Sequence, residues 1–258
     1  METQSSPNAI NRGTYEQPDV RAYYQALATL FECEKVLFAK LSPAITDSKI
    51  LDIGVGGGRT TKYLLEISRD YTGVDYVAQF AEETSKKYPN AKILCSDARD
   101  LKEFGDQTFD FVLFSYNGLD YVSNEDRLKA LKEIYRVLKR GGMFMFSSHN
   151  RDYQYFKKLP WHHQVSFSRQ YLVFILHCLV HLPNHYRMRK HETFTDDYAI
   201  VNDGDHGFSL LHYYISIDKQ IKQLIDSGYS AIEAYNKDGE MVGSDSVSHW
   251  IYYLATKN

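Results

Sequence analysis

The decapeptide Ile50-Leu51-Asp52-Ile53-Gly54-Val55-Gly56-Gly57-Gly58-Arg59 runs from an apolar strand into a glycine turn, and the following RTTKYLLEIS has the pattern of a helix. Glycines permit a tight turn and let a ligand approach the backbone at a helix N-terminus, where N–H groups are free. Nucleotide-like ligands bind at the carboxyl ends of such strands. The dinucleotide fingerprint GxGxxG would need glycine at position 59, which is arginine, and it has no use for an acid two residues before the first glycine. Asp52 would repel a pyrophosphate but suits a cationic amino-acid end.

Outward from this turn, strand and helix patterns alternate: KILDIG, RTTKYLLEIS, DYTGVDY, AQFAEETSKKY, AKILCSD, then DFVLFSY, NEDRLKALKEIYRVLK and GGMFMFSSH. Short apolar strands separated by amphipathic helices predict a parallel, doubly wound α/β sheet, because parallel strands need crossover connections that helices then cover. At the far end Ser216 caps IDKQIKQLIDSG, Gly228 stops it, and YSAIEAY and HWIYYLAT read as closing strands. Upstream, three-and-four spacing predicts one helix from Asp19, its N-cap, to Leu41, ended by Ser42-Pro43, with residues 1 to about 17 loose. Between Asn150 and Ile215 the alternation is lost. A helix near 166–181 and a hairpin pairing YAIV with FSLLHYYI around NDGDHG are expected in this insertion.

The pattern Asp52-x-Gly54-x-Gly56-x-Gly58 resembles motif I of the class I S-adenosylmethionine-dependent methyltransferases of the small-molecule type. Further positions carry the same resemblance: Asp75-Tyr76 closing YTGVD, Asp97-Ala98 after ILCS, Ser115-Tyr116-Asn117-Gly118 after FDFVLF, and the run Leu131 to Gly142 before the fifth strand. Together they cover about residues 49–149, with weaker likeness over 217–258. The resemblance implies a Rossmann-like, mostly parallel seven-stranded sheet with helices on both faces, an antiparallel last strand and a cap inserted after strand 5. It makes residues 1–258 one domain: 1–48 a helical lid, 49–149 and 217–258 the cofactor-binding core, 150–216 the substrate cap.

The resemblance also implies S-adenosyl-L-methionine as cofactor, leaving as S-adenosyl-L-homocysteine. Asp75 would accept hydrogen bonds from the ribose hydroxyls, and Tyr76 lies beside it. Asp97 and the backbone of Ala98 would take the adenine, while Asp52, Gly54, Gly56 and Ser115 would meet the methionine end. A tyrosine near the N-terminal helix would cover that end. Tyr15, Tyr23 and Tyr24 are the candidates, since aromatic faces attract a sulfonium, and Tyr15 and Tyr24 are assigned to the cofactor.

In-line methyl transfer depends mainly on positioning, and a general base is needed only where the acceptor arrives protonated. His149, at the end of the fifth strand, is the first candidate for that base, with His163 and His212 behind it. No acidic ligand set for a divalent metal is recognisable, and no metal is expected.

The 258 residues carry 30 Lys+Arg against 33 Asp+Glu, a soluble composition with a net charge of −3. That near-balance conceals a basic segment: between Arg151 and His191 seven Lys/Arg stand against the single acid Asp152, with six histidines. The basic, aromatic segment suits an anionic or ring-bearing small-molecule acceptor. The alternative, an RNA or DNA substrate held by that basic segment, is disfavoured by the overall acidity and by the absence of a proline-bearing fourth-strand motif at Ser115 to Gly118. The apolar run Tyr171 to Leu182 is 12 residues long, short of the ~20 that cross a bilayer. It is expected to be a core helix or the seam of a homodimer rather than a membrane anchor. Three scattered cysteines and a polar N-terminus without a secretory pattern predict a cytoplasmic protein.

Overall fold

The computed structural model describes residues 6–162 and 168–258. Three helices, α1 (Pro7–Tyr15), α2 (Pro18–Ala26) and α3 (Glu32–Ile45), precede an alternating run. That run comprises β1 (Ile50–Ile53), α4 (Thr61–Ile67), β2 (Tyr71–Asp75), α5 (Ala78–Lys87), β3 (Lys92–Cys95), β4 (Phe109–Phe114), α6 (Asn124–Val137) and β5 (Leu138–Asn150). The insertion supplies α7 (Arg169–Met188), β6 (Thr193–Phe194), β7 (Tyr198–Val201), the single turn α8 (Asp205–Phe208) and β8 (His212–Ile215). The chain closes with α9 (Ile217–Asp226), β9 (Tyr229–Tyr235) and β10 (Trp250–Lys257).

Strands β3-β2-β1-β4-β5 are parallel, β10 runs antiparallel to β5, and β9 pairs with β10. These seven strands form the expected sheet. Alternate residues of β1 feed two cores: Ile50 packs with Leu37 of α3 and Leu64 of α4, whereas Leu51 and Ile53 pack with Leu131 and Ile134 of α6 and Leu224 of α9.

The insertion joins the same sheet instead of capping it as a separate layer. β4 pairs with β5 as far as Phe146, and beyond it His149 and Asn150 take β8 on the edge that β4 has vacated, with β7 and β6 following antiparallel. The expected hairpin is β7 against β8, Val201 opposite His212. The expected helix is α7, displaced a few residues toward the C-terminus. It is not a core helix: Cys178 is its only buried residue among those described.

The N-terminal reading needs three corrections. Residues 7–15 are helical because Ser6 caps Ala9 and Pro7 occupies the first turn. The buried face of α1 is polar, with Asn11 bonded to Tyr121 O and Leu211 O at 2.8 Å each, so no apolar period announces it. The single helix Asp19–Leu41 is two, broken at extended Leu27 and Phe31, and Gln17 rather than Asp19 is the N-cap, with Pro18 in the first turn. Finally, α3 continues through Pro43 to Ile45, which is wholly buried and draws the last turn onto the sheet.

Candidate functional site

A cleft opens across the carboxyl ends of β1, β2, β3 and β4 beneath α1 and α2. The glycine turn forms its floor. Gly56 has φ +51° and nothing within 4 Å of where a Cβ would stand, so the backbone itself faces open space. At Gly57 a Cβ would lie 2.4 Å from Tyr24 O, so the absence of a side chain lets α2 close over the turn.

Asp75, at the end of β2, is buried and lines this cleft. Its Oδ2 accepts Gly56 N–H and its Oδ1 accepts Val77 N–H, each at 2.9 Å, leaving a lone pair on each oxygen. Burial pushes its carboxyl up to about 6 against those two donors. Beyond it, Ser96, Asp97, Ala98 and Tyr76 line the far end. Arg99 grips Asp97 Oδ2 at 2.6 Å and reaches Asp126 of α6 at 2.8 Å. Ser96 Oγ is buried without a hydrogen-bond partner among the described residues, although a hydroxyl in such a place ordinarily has one.

At the near end Ser115 Oγ accepts from Arg59 at 3.0 Å and donates to Glu34. Arg59 and Glu34 form a bidentate ion pair buried between the sheet and α3, the guanidinium stacked 4.4 Å from the Phe31 ring centroid. Tyr15 and Tyr24 cover the cleft, their rings 5.5 Å apart, and Tyr15 meets Tyr121 edge-on at 5.0 Å. Tyr23 faces a second cavity instead.

Every expected cofactor residue except Asp52 lines the cleft: Tyr15, Tyr24, Gly54, Gly56, Asp75, Tyr76, Asp97, Ala98 and Ser115. Asp52 shares the strand face of Ile50, two residues before it, and so points beneath the turn. There its Oδ2 accepts the hydroxyls of Thr60 at 2.7 Å and Tyr71 at 2.9 Å, while burial pushes the carboxyl up to about 7. It anchors the loop from below and does not reach into the cleft.

The second cavity adjoins the first through Tyr24 and Tyr116, which line both. Its walls carry His149, Tyr214 and Trp250 from the sheet, Tyr171 and Phe174 from α7, and Asp205 and His206 from α8. His149 is held by Asp120, whose Oδ2 takes its backbone N–H at 2.7 Å and lies 2.8 Å from Nδ1. Burial alone would raise the Asp120 carboxyl, but the Arg127 guanidinium and His149 hold it below its ordinary value. A carboxylate on Nδ1 selects the tautomer whose lone pair sits on Nε2, and the Asn117 amide approaches that atom at 3.3 Å.

His212, a weaker candidate for the base, stacks on His149 with centroids 4.8 Å apart and planes at 11°. Its Nδ1 lies 2.6 Å from Asp203 Oδ2, and the Asp203 charge pushes the imidazole up to about 9 despite burial. Donor atoms of His149, Asp203 and His212 come within 4.8 Å of one another. Imidazole lone pairs lie in the ring plane, and stacked planes do not converge on one ion, so His212 reads as paired with Asp203 and His149 with Asp120. His163 lies outside the described residues.

Sequence reasoning missed the residues that hold these side chains: Glu34, Asp120 and Arg127, together with Ser96, His249 and Trp250. The signal present was Arg59 directly after three glycines, a charge that must find a partner once the turn is buried.

Residues 51–146 match the family described as methyltransferase domain. Over 101 residues the chain is 37% identical to a sterol 4-C-methyltransferase of Caenorhabditis elegans, covering 37% of this chain and 29% of that one. Over 102 residues it is 36% identical to a demethylmenaquinone methyltransferase of Staphylococcus aureus, covering 37% and 41%. The chain thus spans less than half the length of either relative. A S-adenosylmethionine-dependent methyltransferase of Thermotoga maritima, described as a possible histamine N-methyltransferase, superposes with TM-score 0.60 at 16% identity over 98% of this chain and 100% of that one. The 1,6-didemethyltoxoflavin N1-methyltransferase of Burkholderia thailandensis, solved with its acceptor and S-adenosylhomocysteine, gives TM-score 0.60 at 15% identity over 97% and 88%. At those identities the structures establish the fold alone.

Proposed function

We propose that this chain, whose residues 51–146 match a methyltransferase domain, is a class I S-adenosylmethionine-dependent methyltransferase that transfers the cofactor's methyl group to an O or N atom of a small-molecule acceptor. The observation that carries this reading is the wall shared by the two cavities, Tyr24 and Tyr116, with His149 on its far side. The cleft residues fit the cofactor. Asp75 keeps acceptor capacity for a diol, and Tyr15, Tyr24 and Tyr121 present aromatic surface to a cation. When bound, S-adenosylmethionine supplies a methyl carbon made electrophilic by its sulfonium.

This chain's residues hold and deprotonate the partner of that carbon. Edge-to-face rings of Tyr24, Tyr116 and Trp250 in the acceptor cavity orient a flat molecule, and Tyr116 places it beside the cleft. His149 Nε2 receives the proton of the attacking O–H or N–H, displacing the long contact from Asn117, while Asp120 holds the ring and steadies the imidazolium that forms. The sterol, menaquinone and toxoflavin enzymes named above act on small molecules, which supports the acceptor class. The three unpaired thiols suit a reducing cytoplasm. Calorimetric titration with S-adenosylmethionine and S-adenosylhomocysteine tests the reading: saturable binding of both is expected, and neither heat nor thermal shift at millimolar cofactor sinks it.

A further inference from the structure

Helix α7 presents an apolar stripe that the rest of the chain leaves bare. Leu172, Val173, Leu176, Leu179 and Val180 follow helical spacing, and each is 49 to 73% exposed. Single exposed leucines are ordinary, but five on one face mark a contact surface. The ends of the helix are basic: Arg169 opens it, Arg187 lies in its last turn, and Arg189 and Lys190 follow directly. None of these four cations is ion-paired among the described residues. Between Arg151 and His191 the only acid is Asp152. No helix among the described residues is long and apolar enough to cross a membrane.

We propose that α7 docks on an anionic lipid surface, its apolar stripe entering the headgroup boundary and its flanking arginines meeting lipid phosphates. An apolar face bounded by Arg and Lys is the composition of an interfacial helix. A second copy of this chain is the weaker occupant. A two-fold contact through α7 sets each basic segment against its own twin, with seven Lys/Arg and one acid on either side. The inner side of the same helix contributes Tyr171 and Phe174 to the acceptor cavity, so docking would bring that cavity next to the lipid phase. A lipophilic acceptor could then enter without crossing water.

The test is co-sedimentation of the full chain with vesicles of phosphatidylcholine alone and of phosphatidylcholine with about one third phosphatidylglycerol. Binding to the anionic vesicles only is expected, weakened at least fivefold by 0.5 M NaCl and abolished in Leu176→Glu/Val180→Glu. Arg187→Glu/Lys190→Glu should weaken it without abolishing it. Cofactor affinity, read separately by calorimetry, should be unchanged in both variants, which certifies their folding and separates this inference from the methyltransferase reading. Absence of sedimentation overturns the proposal, as does equal binding to neutral vesicles. A dimer by light scattering that Leu176→Glu/Val180→Glu dissociates also overturns it, assigning the face to a second copy.

Discussion

The cofactor cleft and the acceptor cavity share two tyrosines and differ in how they are built. The cleft is made at strand ends, where β1, β2, β3 and β4 each deliver one residue or turn to a common edge. Its positions follow from the topology, which brings Gly56, Asp75, Asp97 and Ser115 to one edge. The acceptor cavity draws on α2, the turn after β4, the end of β5, α7, α8, β8 and the start of β10. No spacing rule links those segments. Topology fixes where the first cavity lies, whereas the second is shaped by what is inserted beside it.

The sharpest way to break this division is at His149, the point where the insertion meets the core. His149→Ala should lower kcat about 10²- to 10⁴-fold with cofactor affinity nearly intact, as measured by transfer of radiolabelled methyl to the acceptor found by screening. An unchanged kcat would show that the acceptor arrives deprotonated and that the cavity only positions it. The next largest effect lies beneath the cleft. Glu34→Gln leaves Arg59 buried without its counter-charge and should destabilise the fold by about 3–5 kcal/mol, read from denaturant unfolding. A loss below 1 kcal/mol would mean that water reaches the guanidinium. Within the cleft itself, Asp75→Ala should weaken S-adenosylmethionine at least ~10-fold by removing the acceptors for its diol. Near-wild-type affinity in calorimetry would refute that role.

Much of the cleft was legible because its residues sit at fixed offsets from strand ends. Asp52 shows the limit of such reading: an acid beside a glycine turn is equally well placed to face the ligand or to bolt the turn down, and strand parity decides for the latter. The broken N-terminal helix was illegible because Leu27, Leu30 and Phe31 keep the apolar period while the backbone leaves it. Residues 7–15 hid for the opposite reason, since Asn11 and Thr14 satisfy backbone carbonyls and Asn8 bonds Ser123 N–H and the Asp126 carboxylate, an arrangement that periodicity does not register. The pairing of Asp120 with both His149 and Arg127 spans 29 and 7 residues and depends on how the short turn after β4 folds back. Strand offsets carry no information about it.

The smallest expected effect separates the two regions by pH. Asp75 in the cleft and Asp52 beneath its glycine turn hold their protons to about 6 and about 7 because burial disfavours the carboxylates. A raised carboxyl stabilises the fold below the unfolded value, ~3.9, and that contribution is spent as pH climbs through 6 to 7. In the acceptor half, His212 keeps its proton to about 9 beside Asp203. Its stabilisation is complete below the unfolded imidazole value, ~6.5, and is lost as pH rises through 9. Asp203, held low by the same pair, adds stability above the ordinary carboxylate value and loses it only in acid, so it does not contribute to an alkaline slope. Between pH 8 and 9.5 Asp75 and Asp52 are therefore already ionised while His212 is still titrating. The unfolding midpoint should drop by a few degrees across that window, and the slope should vanish in His212→Gln/Asp203→Asn. A midpoint that is flat from pH 8 to 9.5 in the native chain would show that Asp203 does not hold the His212 proton.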